Sequence, residues 1–141
     1  MVDEKFNELV NKILEVGGDK VLFVILYGSR TEGYARSTSD YDIAIYYEDI
    51  KEERYKFLSQ LWRKIGGNYD LRIFQDLPLV LKSKILKNGR FLYKRDFNKL
   101  FKIANAIRKE YEDFRPRLQL ILGDKEWINK TKRLLKSRSD K

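Results

Sequence analysis

Two aspartates one residue apart, Asp40 and Asp42, stand twelve positions after Gly28 and open the apolar run YDIAIYY. On an extended strand successive side chains alternate, so Asp40, Asp42 and Ala44 share one face while Tyr41, Ile43 and Ile45 share the other. The two carboxylates then point the same way, roughly 6–7 Å apart along the strand. Left alone, such a pair repels and resists ionisation; beside a divalent cation the repulsion becomes attraction. YDLRIF offers a third carboxylate, Asp70, with Arg72 and Phe74 on its face. If the strands of residues 41–47 and 69–74 are neighbours, three carboxylates converge. A three-carboxylate, two-metal site suits in-line phosphoryl or nucleotidyl transfer, with the ions about 3.5–4 Å apart.

Gly28-Ser29 closes the apolar run KVLFVILYG. Glycine lets the backbone approach a phosphate closely, and amides at a helix N-terminus donate to phosphate oxygens, with the serine hydroxyl as a further donor. Arg30 and Arg36 are nearby candidates for neutralising a triphosphate. Each piece has a plainer explanation: an ordinary turn at Gly-Ser, an Asx-turn at TSDYD, and an Asp70 that only pairs with Arg72. Their order and their placement on these elements favour the metal–nucleotide reading.

Composition narrows the chemistry further. The 141 residues contain neither cysteine nor histidine, which removes disulfides, thiolate sites, usual zinc sites and histidine bases. Metal chemistry would have to use oxygen ligands, which points to magnesium. Lack of cysteine, a short longest apolar stretch and the acidic start MVDEKFNE give the expectation of a cytoplasmic protein with no membrane span. The 30 lysines and arginines exceed the 21 acids, for a net charge of +9. Such a charge favours acidic partners, among them nucleotides, nucleic acid or an acidic protein face, or reflects an ionised thermophile-like surface.

Periodicity supplies the supporting elements. Phe6, Leu9, Val10, Ile13 and Leu14 predict a helix over 3–16 ended by Gly17-Gly18. Residues 20–28 predict a strand covered on both faces, and a short helix could open at Ser29. YDIAIYY and YDLRIF alternate as strands, and the helix between them turns Phe57, Leu58, Leu61, Trp62 and Ile65 inward. Pro78 starts a helix to Lys87, stopped by Asn88-Gly89. Phe97, Leu100, Phe101, Ala104, Ile107, Tyr111 and Phe114 recur at helical spacing over 96–114, and a last helix over 124–136 opens at Asp124. The fold class is therefore mixed α/β (α+β): one domain over 1–141, with a small mixed sheet flanked by helices in a core of about 1–95 and a helical part over about 96–137.

The residues G28-S29, ten positions, then D40-x-D42 resemble the GS-X10-D-x-D motif of the DNA polymerase β-like nucleotidyltransferase superfamily. Ser39, the DIAI after Asp42's tyrosine neighbour, Asp70 and ILKNGRFLY extend the likeness. It covers residues 20–93 well and the C-terminal helices loosely, and it is nearest to the minimal nucleotidyltransferases, antitoxin partners of HEPN-domain ribonuclease toxins. The resemblance implies that Gly28, Ser29, Arg30 and Ser39 bind the nucleoside triphosphate and that Asp40, Asp42 and Asp70 form the catalytic set. Those three would hold Mg2+, two ions, with ATP as substrate and Asp70 helping to activate the acceptor hydroxyl. Thr31 and Glu32 depart from the family's usual small and basic residues before the second glycine, and Glu32 would repel a triphosphate if it faced inward.

The same resemblance implies the acceptor. Larger members carry a second domain for it, whereas this chain would borrow its acceptor site from a partner. In the antitoxins that partner is a HEPN toxin, and AMP from ATP is placed on a toxin tyrosine in a type VII-like toxin–antitoxin pair. The aromatics of residues 96–114 and Trp127 would suit docking, although the plainer expectation packs Phe97, Phe101 and Tyr111 as core. Rival readings are an antitoxin that acts by binding alone, a transferase for a small molecule or an RNA end, and a nucleic-acid-binding module, the last lacking any known nucleic-acid motif.

Overall fold

Seven uncharged residues, Val21–Tyr27, form β1, and all but Tyr27 are buried. A strand so continuously apolar must lie at the centre of a sheet covered on both sides. The computed structural model describes residues 4–28 and 41–122 and places β1 accordingly. The other strands among the described residues are β2 (Tyr41–Tyr47), β3 (Tyr69–Ile73) and β4 (Arg90–Lys94), in the spatial order β3-β2-β1-β4. β1 pairs antiparallel with β2 and β4, whereas β2 and β3 are parallel. Parallel neighbours need a long crossover. Helix α2 (Lys51–Lys64) supplies it.

One face of the sheet is covered by α1 (Asn7–Gly17) and α2. Leu9, Val10 and Ile13 of α1 and Phe57 and Leu61 of α2 pack there against Val24, Ile43, Ile45, Leu71 and Ile73. A 3₁₀ turn at Glu4–Phe6 leads into α1. Gly18, at φ 56, closes it by donating its N–H to the Leu14 carbonyl, a left-handed position that glycine takes without strain. Tyr47 stacks on Phe57 with centroids 4.0 Å apart, fastening the end of β2 to the crossover helix.

The other face is covered by α3 (Leu79–Asn88) and α4 (Phe97–Leu122), whose Ile85, Leu100 and Ile107 meet Leu22, Phe23, Ile25, Ala44 and Phe74. Polar contacts hold the end of β3 in place. Gln75, in the 3₁₀ turn Phe74–Asp76, accepts from the Tyr47 N–H at 3.1 Å and donates to the Tyr47 carbonyl, which adds a rung beyond the β2–β3 ladder. Arg54 of α2 donates to both Asp76 carboxylate oxygens, at 2.6 and 3.2 Å.

Several expectations need correction. β4 was missed by periodicity, because its five residues start after Asn88-Gly89, carry Arg90 and Lys94 at their ends and bury only Leu92. Such charged, short strands are typical of sheet edges. Trp62 faces outward at 57% exposure. The helix presents Phe57, Leu61 and Ile65 to the core, and Trp62 lies a further 100° round. Phe97 and Phe101 are also exposed, at 65% and 55%, because α4 seats Leu100 and Ile107 instead; Tyr111 is half-buried. α4 passes Pro116 and reaches Leu122, beyond the end expected near 114. The short helix at Ser29, the helix over 124–136 and Trp127 lie outside the described residues.

Candidate active site

The parallel register of β2 and β3 sets Asp42 opposite Asp70, with Tyr41 opposite Tyr69 and Ala44 opposite Arg72. Neighbouring strands are about 4.8 Å apart, and paired residues project to the same face. On the other side Asp42 is the partner of Tyr27 in β1. Tyr27, Asp42 and Asp70 thus form one row across three strands, on the face that α3 and α4 cover lower down. Ile43 and Ile45, on the alternate face, are buried under α1 and α2 and fix which way Asp42 points.

Gly28 follows directly. Its φ is +87°, and a Cβ added there would run into the Asp42 carboxylate. Both facts require glycine: the backbone is in the region that L side chains rarely adopt, and the carboxylate fills the place of a side chain. The apolar run therefore ends in a bare stretch of backbone set against an acid, a cradle that one methyl group would fill.

Asp70 accepts from Arg72, two residues along the same strand face, at 3.3 Å from Nε and 3.4 Å from Nη2. The carboxylate keeps the Arg72 guanidinium above its usual pKa, first through that hydrogen bond and then through charge. Burial, backed by the negative charge of Asp42, pushes the Tyr27 phenol well above its ordinary value. Tyr27 is therefore neutral at any working pH and adds no charge to the row.

Among the described residues no cluster of three or more acids, histidines or cysteines converges on a metal position. Asp42 and Asp70 supply two of the three expected carboxylates and do so from adjacent strands. Asp40, Ser29, Arg30 and Ser39 lie outside the described residues, as do Arg36 and Glu32. The donors that are present are all oxygens, the set a hard cation takes, and the missing side chain at Gly28 is what lets the Asp42 carboxylate lie against the backbone there.

A groove of about 350 Å³ runs along the outer side of β3 from Asp70 and Arg72 past Leu71 to Tyr55, Leu58 and Trp62 of α2. It escaped the sequence reading because Trp62 was counted as core. Tyr27 was missed as a member of the row, although its position next to Gly28 at the end of β1 was the available signal.

The family model described as "Polymerase beta, Nucleotidyltransferase" matches residues 8–98, about two thirds of the sequence. The chain belongs to the polymerase β nucleotidyltransferase family. The "Putative protein adenylyltransferase MJ1547" of Methanocaldococcus jannaschii is 31% identical over 100 residues, which are 71% of this chain and 77% of that protein. Among solved structures, a chain of a toxin–antitoxin complex with AMP-PNP superposes with a TM-score of 0.64 at 24% identity, over 84% of this chain and 97% of the other. A chain from the tri-AMPylated Shewanella oneidensis HEPN toxin in complex with its MNT antitoxin gives a TM-score of 0.59 at 20% identity, covering 83% and 92%. These two likenesses concern the fold. Within the nucleotidyltransferase family match lie β1, Gly28, β2 and β3, so the whole described part of the site falls inside it. No helix among the described residues is long and apolar enough to cross a membrane.

Proposed function

We propose that this nucleotidyltransferase moves AMP from ATP to a hydroxyl acceptor, a tyrosine of a cognate HEPN ribonuclease toxin, and so acts as the antitoxin of the pair. The observation that carries the proposal is the direct pairing of Asp42 with Asp70 beside the Gly28 cradle. Support for the acceptor comes from the relative named as a protein adenylyltransferase and from fold neighbours that are chains of toxin–antitoxin complexes, one with an AMPylated HEPN toxin. The exposed Phe97 and Phe101 give α4 an apolar surface suited to a protein partner. The setting is the cytoplasm.

Asp40, Asp42 and Asp70 would hold magnesium. When bound, it would offset the charge of the triphosphate and lower the pKa of the acceptor hydroxyl. The chain's own residues do the rest. Gly28 lets the backbone come close to the phosphates, with Ser29, Arg30 and Ser39 as further contacts. Asp70 lines the groove beside β3 and would receive the acceptor there and take its proton. The acceptor oxygen bonds to the α-phosphorus, the bond from that phosphorus to the bridging oxygen breaks, and pyrophosphate leaves.

The test is incubation of the purified chain with its cognate toxin, magnesium and ATP labelled at the α-phosphate. Label should pass to a toxin tyrosine, toxin RNase activity should fall, and both should vanish in Asp42→Ala. Inhibition of the toxin with no label transferred would favour binding alone. Transfer to RNA or a small molecule, with the toxin left unlabelled, would move the acceptor elsewhere.

A further inference from the structure

Asp42 and Asp70 are like charges set opposite each other on neighbouring strands, an arrangement that destabilises a sheet unless something offsets it. Among the described residues Arg72 is a cation within reach of Asp70. It projects from β3 on the same face as Asp70, and its guanidinium fork approaches both Asp70 carboxylate oxygens. Its register partner in β2 is Ala44, fully buried and small, which leaves the arginine stem room to lie along the sheet toward the acids.

The pair is also a loose one. Contacts of 3.3 and 3.4 Å are longer than the roughly 2.7–2.9 Å of a strong charge-assisted bond, and the two side chains are 56% and 36% exposed. A pair of this kind holds a carboxylate in place without binding it firmly.

We infer that Arg72 is a resident counter-ion: it holds Asp70 in the metal-free protein and is displaced from that carboxylate when a divalent cation enters. The inference rests on the reading of Asp42 and Asp70 as metal ligands. Arg72 acts through Asp70 and is a positioning residue. It keeps the acidic row assembled between turnovers and sets a threshold that an incoming ion must exceed.

Binding of Mn2+ alone, followed by electron paramagnetic resonance, tests this together with thermal melting. Arg72→Gln should melt lower without metal, bind Mn2+ about two- to fivefold tighter, the ratio a half-exposed ion pair is worth, and gain more in melting temperature when Mn2+ is added. Arg72→Lys, which keeps the charge, should stay near the parent. Lys12→Gln removes one positive charge from α1, on the opposite sheet face, and should leave Mn2+ affinity unchanged. If the parent binds Mn2+, Asp42→Asn abolishes that binding, and Arg72→Gln binds equally or more weakly, the counter-ion inference fails while the metal site stands. If neither the parent nor Arg72→Gln binds Mn2+, both fail.

Discussion

Asp42 and Asp70, separated in sequence by the whole of α2, are direct partners in the parallel pairing of β2 and β3. A site built this way depends on the strand register, because a slip by one residue would turn Asp70 to the opposite face and put Leu71 in its place. The buried Leu71 and Ile73, packed beneath α2, prevent that slip.

Replacing either acid by its amide tests its chemical part. If Asp42 and Asp70 hold the metal as proposed, Asp42→Asn and Asp70→Asn should each lower nucleotidyl transfer by about a thousandfold, since the charge stabilisation lost with a metal ligand is several kcal/mol. Unfolding by denaturant should stay within about 1 kcal/mol of the parent, because one member of a repelling pair is gone. Loss of the folded state in either variant without metal would make the carboxylates structural.

Gly28→Ala should fail in both respects. The backbone strain at φ +87° costs about 1–2 kcal/mol, and the new methyl group must push the Asp42 carboxylate aside. Transfer should drop severely and the denaturation midpoint should fall. A variant as stable and active as the parent would show that the close approach of Gly28 to Asp42 is unimportant.

The ends of β1 and β2 carry a pH signature. Lys20 donates to Asp49 at 2.6 Å, and this bond, with the Ile50 amide, holds the Asp49 carboxyl below its usual pKa. A depressed folded pKa gives stability that is present above the unfolded value, about 3.9, and is lost as pH falls through the lower folded value. The melting-temperature gap between parent and Asp49→Asn should be full at pH 6 and close progressively below about pH 4. A gap that stays constant down to pH 2 would mean that Asp49 acts by something other than its charge.

Phe97 and Phe101 stack with centroids 6.2 Å apart on the exposed side of α4. Changing both to serine should alter stability by no more than about 0.5 kcal/mol per site. If α4 is the toxin-docking surface, the same change should weaken toxin binding by about 30-fold or more, the scale of a buried aromatic anchor. Calorimetry of the complex gives the second number and a denaturant melt the first.

Much of this was legible in the residues themselves. Alternation in YDIAIYY and YDLRIF gave the strands and the faces on which Asp42 and Asp70 lie, and the glycine pairs Gly17-Gly18 and Gly66-Gly67 mark the ends of α1 and α2. That the two strands are neighbours was only a condition in the sequence, because pairing partners are chosen by tertiary packing. Periodicity also gives the direction of a side chain without saying where the sheet stops. Trp62 and Phe101 belong to apolar stripes by spacing, yet Trp62 lies beside the edge strand and Phe101 one residue past the stripe that α4 buries. β4 was hidden by its own brevity and charge. Asp40 and Ser29 remain proposals of the motif, outside the described residues.

β3 is bonded to the rest of the sheet through β2 alone among the described strands. The outermost strand is commonly the first to open in a native protein, well before the whole molecule unfolds. Here its departure would carry away Asp70 and leave the hydrophobic interior around β1 largely standing. If Asp70 has the catalytic part proposed for it, competence is less durable than the fold, and mild heat or denaturant should silence the enzyme while most of its amide protons still resist exchange.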